Sequence, residues 1–118
     1  MLPREHRLLL KNQWTKIRKE GKMFSGTLFS LIIETTTGLA KDQKPAQFGF
    51  IVSTKISKKA TVRNRIKRLL RESVRSFLPD IPANTTVVVL VKRAAVDKGL
   101  GSIKEEMARL FKKAQILS

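Results

Sequence analysis

Between Lys55 and Arg75 the chain reads KISKKATVRNRIKRLLRESVR, with nine Lys or Arg residues and a single acid, Glu72. Asn64, Arg68, Arg71 and Arg75 follow one another at steps of four, three and four. In a helix such steps put four side chains in one row. Lys67 flanks the row on one side and Arg65 on the other. Guanidinium groups present forked donors that match phosphate oxygens, and an amide among them suits phosphate and sugar contacts. Like charges at this spacing repel, by about 0.2–0.5 kcal/mol per pair. Glu72 can relieve Arg68, but nothing nearby relieves Arg71 and Arg75. A merely solvated face mixes signs, so this row reads as a surface for a polyanion.

The rest of the composition agrees and narrows the chemistry. The chain has 118 residues, 25 of them basic and 9 acidic, for a formal charge of +16. Such a balance calls for nucleic acid or an anionic membrane. The nine carboxylates are scattered, with no cluster able to hold two metal ions. Gly99-Leu100-Gly101 is too short a pattern for a phosphate-binding loop. One histidine, His6, and no cysteine leave little for metal binding or Cys/His catalysis. His6 is most simply a surface residue. Absence of cysteine agrees with a cytoplasmic location. No apolar run approaches the roughly 18 residues of a membrane span, and MLPREHRLLLK does not read as a signal peptide. Residues 1–118 read as a single domain.

The basic row needs an element to carry it. Val62, Ile66, Leu69, Leu70, Val74 and Phe77 recur at helical spacing, so an amphipathic helix is expected from about Lys58 to Phe77. Ser57 can cap its start and Pro79 marks its end. The row then lies away from the core. Ahead of it, residues 1–10 look extended. A short helix is expected over Asn12 to Glu20, with Asn12 as cap, Gly21 as stop, and Trp14 and Ile17 on one side. Strands are expected at Met23–Ser25, Leu28–Thr36 and Gln47–Thr54, with a polar loop from Gly38 to Pro45. In the third strand Phe48, Phe50 and Val52 belong on the core. Gly49, Ile51 and Ser53, extended by Lys55, line a smaller, more polar face.

After the basic helix, Pro79 to Asn84 is a turn region. TVVVLV from Thr86 to Val91 reads as a central strand. Gly99 and Gly101 open a loop, and Ser102 with Glu105 forms a capping box for a last helix. Its core stripe is Ile103, Met107, Leu110, Phe111 and Ala114. The order is αβββαβα, an α+β fold with a single mixed sheet packed with helices. The passage from Gln47 to Val91 suggests a parallel strand pair, for which a right-handed crossover is the general rule.

The run Arg63-Asn64-Arg65-Ile66-Lys67-Arg68-Leu69-Leu70-Arg71-Glu72 closely resembles the signature of the protein subunit of bacterial ribonuclease P. Val52-Ser53-Thr54-Lys55 and Lys59-Ala60 precede it in register, and Leu2-Pro3-Arg4-Glu5-His6-Arg7-Leu8 resembles the family's N-terminal pattern. The resemblance implies a left-handed crossover instead. It implies a holoenzyme that removes the 5′ leader of precursor tRNA, with the active site and its Mg²⁺ ions carried mainly by RNA. This chain would then hold no catalytic residue and no metal or cofactor of its own. Its partners would be the RNA subunit and precursor tRNA, with no membrane and no obligate protein partner. Lys58, Lys59, Arg63, Asn64, Arg65, Lys67, Arg68, Arg71 and Arg75 are the implied RNA-subunit contacts. The leader would lie between the first helix and the polar sheet face, with Trp14 to stack on a base and Ser30, Ile32, Ile51, Ser53 and Lys55 as floor. Trp14 can equally pack its helix onto the sheet, or do both. Arg18 stands where relatives often have a second aromatic. It can supply a phosphate contact or a planar guanidinium stack.

Two other classes fit the composition. One is a non-catalytic module such as a ribosomal or small DNA-binding protein. The other is a membrane-surface helix, which ranks last because the sheet already needs the apolar arc.

Overall fold

The computed structural model describes residue 19 and residues 21–35, 46–82 and 85–116. Apart from Lys19, which is helical, the expected N-terminal helix, with Trp14 and Arg18, lies outside them, as does the expected loop from Gly38 to Pro45. Among the described residues four strands are found, β1 (Lys22–Ser25), β2 (Phe29–Thr35), β3 (Gln47–Ile51) and β4 (Thr85–Val91), with helices α1 (Ala60–Phe77) and α2 (Leu100–Lys113). Short 3₁₀ turns at Leu78–Asp80 and Arg93–Ala95 follow α1 and β4.

The strands form one mixed sheet in the order β1-β2-β4-β3. β1–β2 and β2–β4 are antiparallel, and β3–β4 is parallel. The expected parallel pair is therefore present, with α1 as the connection between neighbours. β4 is central, which explains its unbroken apolar run: Val87, Val88 and Val89 are fully buried, each against one face or the other.

Side-chain alternation gives the sheet two unequal faces. Phe29, Leu31, Ile33, Phe48, Val87, Val89 and Val91 join Ile66, Leu70 and Val74 of α1 and Ile103, Met107, Leu110 and Phe111 of α2 in the main core. Phe50 and Val52 are partly buried against it, as expected. Phe77 meets Phe111 edge to face, centroids 5.8 Å apart and planes at 83°, a favoured aromatic geometry. On the opposite face Ile32 and Val88 make a small separate cluster, with Ile51 and Leu90 against it.

The helix starts differ from expectation. The hydroxyl of Ser57 accepts the Lys59 N–H at 3.3 Å, so it organises the approach and does not cap α1. Lys59 is the N-cap, extended at φ −81°, ψ 117°. Its carbonyl accepts from Val62 and Arg63 at 3.1 and 3.2 Å. α2 begins at Leu100, two residues before the expected capping box, which does not form. Gly99, extended at φ −96°, ψ −178°, is its N-cap and its carbonyl accepts the Ile103 N–H at 3.2 Å. Ser102 is by then already inside the helix, so its hydroxyl has no terminal N–H to serve. The predicted core stripe holds, except that Ala114 is only partly buried.

α2 ends in a Schellman turn: Ile116 N–H reaches the Phe111 carbonyl and Gln115 N–H the Lys112 carbonyl, both at 3.0 Å. Gln115 is left-handed at φ 64°, which costs a residue with a Cβ about 1 kcal/mol. Gln115→Gly is expected to raise the unfolding free energy by about 0.5–1 kcal/mol, measured in denaturant titrations. A loss of stability would mean that the turn is not left-handed in solution.

Candidate nucleic-acid interface

Burial of Ile66, Leu70 and Val74 fixes the rotation of α1 and leaves Asn64, Arg68, Arg71 and Arg75 exposed. The row is therefore real as geometry. Asn64, Arg68 and Arg71 line an open groove of about 570 Å³ together with Thr61, Arg65 and Glu72. Arg75 lies beyond the groove residues. Glu72 comes within 3.9 Å of its guanidinium, both side chains being about half exposed. This corrects the expectation that nothing relieves Arg75, although a solvated pair this long contributes little.

The Arg-Asn-Arg triplet divides into different tasks. Arg63 donates to the Ser57 carbonyl at 2.7 Å. Arg65 donates to the carbonyls of Val96 at 3.0 Å and Lys98 at 3.3 Å. Arg63 thus ties the segment leading into α1, and Arg65 ties α1 to the segment leading into α2. Asn64 between them faces the groove. Each guanidinium has five N–H donors, so donors remain on both. Lys58 and Lys59 are exposed at the helix start and Lys67 is half-buried.

The second face lies across the sheet. Register aligns Ser25, Ser30, Leu90 and Ile51 in one row and Met23, Ile32, Val88 and Gly49 in the next. Ser30, Ile32 and Ile51, expected together, do share this face. Ser30 and Ile32 are buried at 6% and 3% exposure, however, while Ile51 is half-buried and Ser53 and Lys55 are exposed. The two β2 residues support the layer from within, because Ile32 pairs with Val88 in an apolar cluster.

β4 contributes residues to this face that its continuous apolar run does not reveal in sequence. Placing β4 between β2 and β3 adds Val88 and Leu90 to this face, and two residues after Leu90 comes Lys92. Its ammonium donates to Ser25 Oγ at 2.9 Å and the Gly26 carbonyl at 2.6 Å. Arg93 donates to the Lys55 carbonyl at 3.0 Å, and Lys55 N–H to Ser53 Oγ at 2.9 Å. One end of the face is therefore basic, with Lys55, Lys92 and Arg93 together. The period-2 rule points to Lys92 once β4 is known to be central.

Among the described residues no group of three or more His, Cys, Asp or Glu could hold a metal ion. Among them also, no helix is long and apolar enough to cross a membrane. The arrangement suits binding of an anionic polymer on two surfaces.

The family model for ribonuclease P matches residues 2–115. The ribonuclease P protein component of Microcystis aeruginosa is 33% identical over 117 residues, covering 98% of this chain and 96% of the relative. That of Picosynechococcus is 34% identical over 115 residues, covering 98% and 95%. The ribonuclease P protein of Staphylococcus aureus superposes with a TM-score of 0.82 at 22% identity, covering 96% of this chain and 98% of the other. At that identity the likeness concerns the fold.

Proposed function

Because the chain belongs to the ribonuclease P protein family, and so to the endoribonuclease that processes the 5′ side of tRNA, we propose that it serves as the holoenzyme's RNA-binding subunit and leaves the chemistry to the RNA. The observation that carries this reading is the exposed row of Asn64, Arg68 and Arg71 along the groove of α1. Guanidinium groups offer planar, forked donors suited to nucleic-acid phosphates, and a membrane-surface helix would need the apolar arc that the core already holds. Neutralising phosphates there also lowers repulsion between the RNA subunit and its substrate RNA.

The sheet face with its basic end is the proposed seat of the precursor's leader, held as a single strand. Ile51, Ser53, Lys55 and Lys92 are its accessible members, with Ser30 and Ile32 as support, and Trp14 and Arg18 are the further leader contacts this reading assigns. Mature tRNA lacks a leader and gains nothing from this seat, so the protein separates substrate from product. Magnesium belongs with the RNA subunit in this reading. The holoenzyme is cytoplasmic and needs no further protein partner.

The test is reconstitution with a bacterial ribonuclease P RNA at low magnesium. Added protein is expected to restore cleavage of precursor tRNA and to make precursor bind more tightly than mature tRNA. Trp14→Ala is expected to narrow that gap by about 1–3 kcal/mol if the ring stacks on a leader base. Equal weakening of both substrates, or no change, assigns Trp14 to packing. No stimulation by the wild-type protein would overturn the whole reading. Recovery of ribosomal RNA with the purified protein would favour the ribosomal alternative.

A further inference from the structure

Glu106 is the only ionisable side chain among the buried residues described, at 6% exposure. Its carboxylate accepts three consecutive backbone N–H groups of the β1–β2 turn. Oε1 takes Thr27 at 3.1 Å, and Oε2 takes Leu28 at 2.6 Å and Phe29 at 3.2 Å. Oε1 also accepts from the Arg109 guanidinium at 2.7 Å. The turn closes through Gly26, whose N–H donates to the Phe29 carbonyl at 3.0 Å. A Cβ on Gly26 would lie 2.8 Å from that carbonyl oxygen and 3.0 Å from the Glu106 carboxylate. The turn thus sits so close to the carboxylate that only glycine fits.

The other side of the same turn carries Lys92. Its ammonium holds the Gly26 carbonyl and Ser25 hydroxyl, and its N–H donates to the Leu28 carbonyl at 2.9 Å. Five residues, Ser25 to Phe29, are therefore gripped by α2 from one side and by Lys92 from the other. A buried carboxylate is costly to desolvate, and an apolar side chain often serves stability as well or better. What the carboxylate adds is definition: three consecutive backbone donors held by one carboxylate leave the turn one position.

We infer that Glu106 is a positioning residue for leader recognition, fixing the β1–β2 turn so that Lys92 is held at the basic end of the sheet face where a leader phosphate passes. This rests on the reading of that face as the leader's seat.

The experiment uses the reconstituted holoenzyme with wild type, Glu106→Gln, Lys92→Met and the double variant. The precursor-to-mature affinity ratio, the affinity for the RNA subunit and the Tm of each protein are measured. Each single variant is expected to reduce the ratio about three- to tenfold, with RNA-subunit affinity unchanged. The double variant is expected to lose no more than the worse single, because both changes act on one contact. A purely structural Glu106 would lower the Tm without that coupling. Losses that multiply, or a ratio unmoved by Glu106→Gln, overturn the inference while leaving the leader seat intact; a ratio unmoved by Lys92→Met overturns the inference and removes Lys92 from the seat. Equal binding of precursor and mature tRNA by the wild type overturns both. If Glu106→Gln fails to fold, Arg109→Met takes its place. That side chain is 64% exposed, and its loss frees one side of the carboxylate. A smaller reduction that again does not multiply with Lys92→Met supports the role; an unchanged ratio overturns it.

Discussion

Replacing both Arg68 and Arg71 by alanine is expected to weaken binding of the RNA subunit by about 3 kcal/mol, roughly a hundredfold. Both side chains are exposed and line the groove beside Asn64. Each is read as a charge-assisted contact to phosphate, individually worth about 1.5–3 kcal/mol. Counterion release makes the assignment more specific than an affinity loss alone. Each lost phosphate contact should flatten the log–log salt dependence by roughly 0.7–0.9, so the double variant should lose about 1.5 units of slope. Folding should hardly change, because exposed substitutions away from partners stay within about 0.5 kcal/mol. Affinity and slope equal to wild type would remove the row from the RNA-subunit interface. The corresponding change at Arg65 does not make a clean test, since Arg65 also holds the Val96 and Lys98 carbonyls.

The largest loss of stability is expected from Ile66→Ala. Ile66 has no exposed surface and lies in the main core under α1. Removing it forfeits transfer free energy and leaves a cavity, for a cost of about 2–5 kcal/mol. Against a total of about 5–15 kcal/mol this is a large fraction. The melting temperature should fall by about 4 °C per kcal/mol for a domain of this size. Ile66 and the row of Asn64, Arg68 and Arg71 sit on opposite sides of one helix, so the two predictions check each other. A melting temperature within a degree or two of wild type would mean that α1 is rotated, and the RNA-facing row would be misassigned with it.

The amphipathic pattern of α1 was legible in the sequence because burial and charge obey one period, and that period alone separates the two faces. The alternation in Gln47–Ile51 and the continuous apolar run of β4 were legible for the same reason. Local spacing decides which side chains share a face. It also placed Ser30, Ile32 and Ile51 on one side of the sheet. The family was readable because ten consecutive residues around Asn64 carry the resemblance in register.

Strand order lay beyond the sequence. β4 sits between β2 and β3, and only that order brings Leu90 and Lys92 onto the face shared by Ser25, Ser30 and Ile51. Non-local pairing sets it, and no short window contains both partners. The same cause hid the burial of Ser30 and Ile32, which an alternating strand presents as accessible until its neighbours are in place. Helix starts depart from expectation where a local motif competes with tertiary docking. Ser102 and Glu105 have the spacing of a capping box, yet the Gly99 carbonyl accepts the first helical bond and α2 starts earlier. Arg63 and Arg65 look like equal members of a basic cluster, and only the fold brings the carbonyls of Ser57, Val96 and Lys98 within their reach. Glu106 is the sharpest case: in sequence it is an acid beside an apolar stripe, while its three backbone donors lie nearly 80 residues away in the chain. Periodicity can name the side chains of a face, but which backbone groups need a partner is decided only when distant segments meet.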